Sequence, residues 1–179
     1  MERHIQLAKK AIEKFVKTGK KIEIPSDLPP NFYEKEYGVF VSLHRGDKLR
    51  GCIGTYLPQY RNLAEEIIQN AIAASSEDYR FPPVTADEIN NLEIKVSLLN
   101  QPEKIGSLED LDAKKYGIIV KSTDGKCGLL LPDLEGVESV EQQISIACQK
   151  AGINLSFDKD IEISRFEVTK YPGENNQES

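Results

Sequence analysis

Two pairs of apolar runs, each joined by a short polar turn, limit what this chain can fold into more than any other feature. Residues 39–44 lead through a turn at 45–48 into a second run at 49–56, which predicts a β-hairpin. Residues 116–121 and 127–131 repeat the arrangement around another polar turn. Helical patterns separate the two hairpins without the strict strand–helix alternation of a parallel sheet. The sequence therefore predicts an α+β fold, with mostly antiparallel sheet and flanking helices.

Three longer segments carry apolar residues at helical spacing. The first covers residues 2–17 and should end at Gly19. The second begins after Asn62, which forms a capping-box pattern with Glu65, and the third begins after Ser139. These segments are the predicted flanking helices.

The last predicted strand covers residues 161–171. Its apolar alternation slips at Ser164 and Arg165, which suggests a β-bulge. Residues 173–179 are uniformly polar and are predicted to form a frayed tail beyond a domain at 1–172.

Lysines recur along one side of the first helical segment, at Lys10, Lys14, Lys17 and Lys21. Such a row is typical of a solvated helix face. The alternative is a contact site for an acidic partner, and the spacing is compatible with both.

Composition excludes several classes of protein. No apolar stretch approaches the roughly 20 residues of a membrane-spanning helix, so no membrane span is expected. The N-terminus enters a helical pattern directly, without an apolar signal segment. The formal net charge of −6 and the pI of about 5.1 disfavour nucleic acid as a partner.

The three cysteines are scattered and odd in number, which argues against a disulfide framework and favours the cytosol. Only two histidines accompany them, so the sequence predicts neither a zinc site nor another bound metal or cofactor. The residues concerned are Cys52, Cys127, Cys148, His4 and His44.

The most unusual local sequence lies within the second strand of the first hairpin, where Gly51 and Gly54 flank Cys52. Glycine weakens a strand interior, so two of them need a reason. One reason is a bulge or close backbone packing. The other is access, because small neighbours leave room for a ligand over the sulfur.

Cys52 is a candidate nucleophile. Arg50 lies two residues earlier, on the same face of a regular strand, and a nearby guanidinium would favour the thiolate form. His44 is a candidate proton acceptor whose position depends on the hairpin register. A two-residue turn would place His44 on the face opposite Arg50, whereas a three-residue turn would place both on one face. A buried structural cysteine and a surface histidine are the alternatives.

A second cluster follows the second helix, where Glu77, Asp78 and Arg80 precede two consecutive prolines. Acids and a base on a constrained loop are compatible with a binding cleft. They are equally compatible with local caps and surface ion pairs.

At residues 49–55, Leu-Arg-Gly-Cys-Ile-Gly-Thr, the chain resembles the AMMECR domain, called AmmeMemoRadiSam system protein A in prokaryotes. The resemblance is nearly full length, and further segments occur in the order of the family. They are residues 38–41, 70–74, 78, 80–83, 92–97, 128–132 and 150–152. Cys127 departs from the basic or small residue expected there.

The resemblance implies a larger subdomain that holds both termini and a smaller inserted subdomain. It also implies a functional region in the cleft beside the Arg50–Cys52 strand. In prokaryotes the family is associated with a Memo-like protein and a radical-SAM protein, but it brings no established reaction. The predicted ligand-binding residues are Arg50, Gly51, Gly54, Thr55, Glu77, Asp78 and Arg80.

Two functions remain in contention. The favoured one is a cytosolic component that binds a partner or a small anionic ligand in this cleft, because no complete set of nucleophile, base and orienting group is legible. The alternative is an enzyme or modification carrier with Cys52 as nucleophile. Arg50 would then stabilise the thiolate or bind an anionic substrate, and His44 or Glu77 would move protons.

Overall fold

A computed structural model describes residues 2–34, 36–154 and 160–171. The predicted tail at 173–179 lies outside the described residues. The α-helices are α1 (Arg3–Thr18), α2 (Asn31–Glu34), α3 (Leu63–Ser76) and α4 (Val140–Ala151). The strands are β1 (Gly38–Arg45), β2 (Lys48–Thr55), β3 (Glu93–Leu99), β4 (Glu103–Lys104), β5 (Gly117–Ser122), β6 (Cys127–Leu130), β7 (Ile161–Phe166) and β8 (Val168–Tyr171).

The chain divides into two compact units. One holds the residues up to Leu99 together with those from Thr169 onward, and the other is Asn100–Val168. Each has its own sheet, with strand orders β2-β1-β3-β8 and β4-β7-β5-β6. The pairs with a described register are antiparallel, and both predicted hairpins are present as β1–β2 and β5–β6. The α+β prediction is therefore confirmed.

In the first unit, α1 and α3 pack together, and both contact the sheet. The alternation of β1 explains this arrangement, because Val39, Val41 and Leu43 are fully buried on one face. The intervening residues of β1 lie on the other face. The predicted C-terminal stop of α1 and the predicted N-terminal cap of α3 are confirmed. Gly19 adopts a left-handed conformation with φ 68°, and the side chain of Asn62 accepts a hydrogen bond from the Glu65 amide.

In the second unit, α4 packs on β5 and β6 over a small apolar core. Ser139 and Gln142 form the predicted capping box. Cys148 is buried on α4, within this core. A β-carbon at Gly128 would overlap the carbonyl oxygen of Ala147, so the strand and the helix backbone are in direct contact.

The predicted last strand is wrong in one respect. It is two strands, β7 and β8, which belong to different sheets and are separated by Glu167. The pairing of β5 with β7 is regular through Ser164 and Arg165, so no bulge interrupts them. The slip in the apolar pattern arises because the chain leaves one sheet for the other, and the buried face changes with it.

Candidate functional site

The β1–β2 hairpin positions the residues that the sequence singled out. Arg45 pairs with Lys48 across a two-residue turn, and His44 pairs with Leu49. The register then shifts by one residue, so that Arg50 is the extra residue of a β-bulge.

Beyond the bulge, Ser42 lies directly opposite Cys52. His44 and Ser42 share a face of β1, so His44 also shares the face of Cys52. The two-residue alternative for the turn is therefore the one observed, and the bulge at Arg50 then brings Cys52 onto the face of His44.

Close backbone packing accounts for both glycines that flank Cys52. A β-carbon at Gly51 would overlap the carbonyl oxygen of Ala74 in α3. A β-carbon at Gly54 would overlap the backbone of β1 and the ring of Phe40. Of the two reasons considered for these glycines, the structure supports packing.

Thr55, at the end of β2, belongs to a buried polar cluster on the helix side of the sheet. Its hydroxyl lies 2.8 Å from the carbonyl oxygen of Leu57 and 3.1 Å from Glu66 Oε1. The buried carboxylate of Glu66 also accepts hydrogen bonds from the amides of Gln59 and Tyr60, at 2.9 and 2.8 Å. Glu66 therefore fixes the loop after the motif. Sequence reasoning missed it because it lies within a helical pattern.

Asp78 and Arg80 together close over the backbone of Cys52, and we call this pair the Asp78–Arg80 clamp. Asp78 Oδ2 accepts a hydrogen bond from the Cys52 amide at 2.8 Å. Arg80 binds the same carboxylate through Nε and Nη2, at 2.9 and 2.7 Å, and its Nη2 also lies 3.4 Å from the Cys52 carbonyl oxygen. The side chain of Asp78 is only 3% exposed, whereas that of Arg80 is 45% exposed. Hydrogen bonds from Arg80 hold the pKa of Asp78 far below its usual range, with a smaller contribution from the Cys52 amide.

The clamp sits on a turn that follows α3 directly. The hydroxyls of Ser75 and Ser76 both donate to the carbonyl of Ile72, which occupies that acceptor at the end of the helix. The Phe81 amide then donates to the Asp78 carbonyl at 3.0 Å and closes the turn. This turn places Tyr79 at its tip, where the side chain is 95% exposed.

Arg50 is bound by Glu88, which lies 38 residues later in the chain. Its Nε and Nη2 each lie 3.0 Å from a Glu88 carboxylate oxygen, and Nη1 donates to the Pro82 carbonyl at 2.9 Å. These bonds to Arg50, helped by the Thr85 amide, lower the pKa of Glu88 to about 2. The Arg50 side chain is only 14% exposed, so this pair anchors the proline segment to β2.

The pKa of the Cys52 thiol is shifted upward, whereas the sequence predicted a shift that favours the thiolate. Burial raises its pKa above the ordinary value, the charge of Arg80 opposes this, and that of Asp78 adds to it. Arg50 is not among the charges that shift the pKa of Cys52, and its guanidinium is bound to Glu88 instead. The activation of Cys52 by Arg50 therefore remains a prediction, and the contacts of Arg50 do not favour it.

His44 lies beside Ser42, with its Nε2 3.3 Å from the serine hydroxyl. Burial lowers the pKa of His44, the charge of Lys95 lowers it further, and Glu93 acts in the opposite direction. Lys95 lies opposite Ser42 on β3, in the cross-strand row that begins at Cys52. The alternation of β3 was visible in the sequence, but its register was not.

The structure thus brings Cys52, Asp78 and Arg80 together, whereas Arg50 is bound to Glu88 and the proline segment. Glu77 stands apart, since its exposed side chain makes no hydrogen bond or ion pair within the described part of the chain. In the same described ranges, no three His, Cys, Asp or Glu side chains converge in a way that could hold a metal ion. None of the helices described is both long and apolar enough to cross a membrane.

A model of the AMMECR1 family matches residues 5–171. The chain belongs to the AMMECR1 family. A protein of Thermotoga maritima is 48% identical over 169 residues, which cover 94% of this chain and 96% of that protein. A Clostridium acetobutylicum protein is 45% identical over 170 residues, covering 94% of this chain but 35% of the relative.

The fold is also shared with a member of known structure. The crystal structure of an uncharacterised protein from Pyrococcus horikoshii matches with a TM-score of 0.81 at 37% identity, over 93% of this chain and 88% of that one. The resemblance drawn from residues 49–55 is therefore confirmed for the family. The descriptions of these relatives assign no reaction.

Proposed function

We propose that this AMMECR1-family protein is a cytosolic binding component, and that it engages a partner or a small anionic ligand in a cleft beside β2. The observation that carries the proposal is how the charged groups are used. The Arg50 guanidinium is bound by Glu88, and the Asp78 carboxylate is bound by Arg80 and the Cys52 amide. Burial also raises the pKa of the Cys52 thiol. These features favour a rigid recognition surface over an activated nucleophile.

The rim of this surface has groups suited to recognition. Nη1 of Arg80 has no hydrogen-bond partner among the described residues, and the side chain is 45% exposed. A carboxylate or phosphate can therefore bind it without breaking the clamp. Tyr79 extends beside it, and tyrosine and arginine are the side chains that most often dominate binding energy at protein interfaces.

The partners proposed are the Memo-like and radical-SAM proteins that the family resemblance implies. In this scheme they carry out the chemistry, and the present chain holds a ligand or positions one of them. The test mixes the purified chain with each of the two proteins from the same genome and measures the affinity by calorimetry. Tyr79→Ala combined with Arg80→Gln should weaken binding by more than about tenfold, the equivalent of 1.4 kcal/mol.

The matched control is Arg61→Gln, which removes another exposed arginine, at 81% exposure and, among the described residues, paired only with Glu65. It should bind as the unmodified chain does. Equal loss in both variants would assign the effect to net charge rather than to this surface. Binding of neither protein by the unmodified chain would discard the proposed partners.

The second candidate function is an enzyme or carrier in which Cys52 is the nucleophile. One observation favours it, since Cys52, Ser42 and His44 share a sheet face and Ser42 lies 3.3 Å from the imidazole. In this scheme His44 takes up the thiol proton in a relay whose middle residue, Ser42, orients the imidazole. If this relay operates, Ser42→Ala should slow the alkylation of Cys52 by a chloroacetamide probe without changing that of Cys127. An unchanged rate at Cys52 would remove this candidate.

A further inference from the structure

The positive charge of this acidic chain is concentrated at one place. Residues 2–21 contain seven of its 23 basic side chains and only two of its 29 acidic ones, although the formal net charge is −6. The rest of the chain therefore carries the excess of acidic groups. Most of the concentrated charge lies on α1.

Packing of α1 directs these charges outward. The helix buries His4, Leu7, Ala8, Ala11 and Ile12 against the core of its unit. Because successive residues are about 100° apart around a helix, Arg3, Lys10, Lys14 and Lys17 fall within roughly 60° of one another, on the flank of the buried stripe. We call these four basic residues, three of which are lysines, the lysine row. All four are exposed, and the row is about 21 Å long at about 1.5 Å per residue.

Few of the positive charges in the lysine row are paired with a carboxylate. Within the described ranges, Lys10, Lys14 and Lys17 form no ion pair, and Arg3 is paired only with Asp27, at 3.5 Å and with both side chains more than half exposed. Like charges three and four residues apart disfavour a helix. The fold therefore supplies little that neutralises this row.

A shallow groove runs beside the row. Leu7, Pro25 and Leu28 line it, and Arg3, Lys10, Gln6 and Asp27 border it. Its outer wall is fixed by the Tyr33 hydroxyl, which donates to the Pro25 carbonyl and accepts from the Leu28 amide. The groove thus offers a small apolar depression next to positive charge.

We propose that the lysine row and this groove dock an acidic segment of a partner protein. Carboxylates of the segment would lie against Lys10, Lys14 and Lys17, and one apolar side chain would pack over the mouth of the groove. This surface is separate from the clamp at Cys52, so the inference does not depend on the proposed function.

Charge complementarity favours a protein segment over the other polyanions. A lipid surface would be held by charge alone, because α1 buries its apolar face in the core and has none to insert. A nucleic acid would extend beyond a row one residue wide and meet the acidic remainder of the chain.

The test uses a fluorescein-labelled peptide of Glu-Glu-Leu repeats, followed by fluorescence anisotropy at about 150 mM salt. Lys14→Glu combined with Lys17→Glu should weaken binding by at least about tenfold, because two attractive pairs become repulsive. The matched control, Lys48→Glu with Lys121→Glu, changes the net charge equally at two exposed lysines that form no ion pair within the described ranges. It should stay within about twofold of the unmodified chain.

Equal losses in the two charge-reversal variants would overturn the proposal. A peptide with serine in place of leucine should bind more weakly, and equal affinity would remove the groove from it. If poly-uridine RNA or phosphatidylserine vesicles bind more tightly than the peptide and lose binding on the same substitutions, the row belongs to nucleic acid or lipid instead. Should the Glu variant melt early, Lys14→Gln with Lys17→Gln serves as the milder test, with the same direction expected.

Discussion

Replacing Asp78 by alanine is the sharpest test of the clamp. The substitution removes the acceptor of the Cys52 amide and the carboxylate that holds Arg80. The Cys52 amide and the Arg80 guanidinium are still present after the substitution. The loss of stability therefore measures the hydrogen bonds that Asp78 supplies to them. A side chain that is 3% exposed has little access to water that could substitute for it.

The magnitude follows from the contacts. A hydrogen bond to a charged acceptor contributes about 1.5–3 kcal/mol. The pairing with Arg80 adds less than a buried ion pair would, because water reaches a guanidinium that is 45% exposed. We therefore expect the free energy of unfolding to fall by about 2–3 kcal/mol, equivalent to a melting temperature lower by roughly 5–10 °C for a chain of this size.

Urea unfolding at pH 7 measures the loss, and amide hydrogen exchange at Cys52 locates it. The control is Glu65→Ala, which breaks the exposed pair with Arg61 and should cost less than about 1 kcal/mol. Because the folded pKa of Asp78 is lowered, its contribution is present above about pH 4 and is lost as the pH falls below that value. A loss no greater than that of the control, with unchanged exchange at Cys52, would refute this account of the clamp.

Three further results are expected. Gly51→Ala should lower the free energy of unfolding by about 1–3 kcal/mol in urea, because its β-carbon would overlap a carbonyl oxygen of α3, and a neutral effect would contradict that packing. Burial lowers the pKa of His4, so the unmodified chain should lose stability as the pH falls below about 6.5. His4→Phe should reduce that dependence and leave the part due to His44, whose pKa is also lowered, and an unchanged dependence would contradict the role of His4. Iodoacetamide at pH 7 should react more slowly with Cys52 than with the exposed Cys127, and Arg50→Ala should leave the Cys52 rate unchanged; a clear slowing would restore the role first predicted for Arg50.

Local patterns in the sequence were sufficient to predict much of the fold. The glycine at position 19, the cap at Asn62 and the capping box at Ser139 each act within one helical turn, so their effects do not depend on distant residues. The two hairpins were equally local. What failed was the strand at 161–171, because its division between two sheets depends on partners far away in sequence.

The candidate site was less predictable for the same reason. The sequence predicted an interaction between Arg50 and Cys52 because they are two residues apart. In the structure, the nearest carboxylate to Arg50 is that of Glu88, 38 residues later. The bulge at Arg50 changes which side chains share a face, and the neighbouring glycines suggested a bulge without fixing its position. Asp78 and Arg80 were identified as a pair, yet their attachment to the Cys52 backbone is a tertiary contact.

β2 lies at the edge of its sheet, and the clamp occupies its amide and carbonyl at Cys52 with side chains rather than with another strand. An open edge can pair with the strand of a second molecule and so begin aggregation. Two charged side chains on a turn satisfy the edge at Cys52 without extending it. The same residues that hold the loop in place thus oppose the addition of a foreign strand at this point of the sheet.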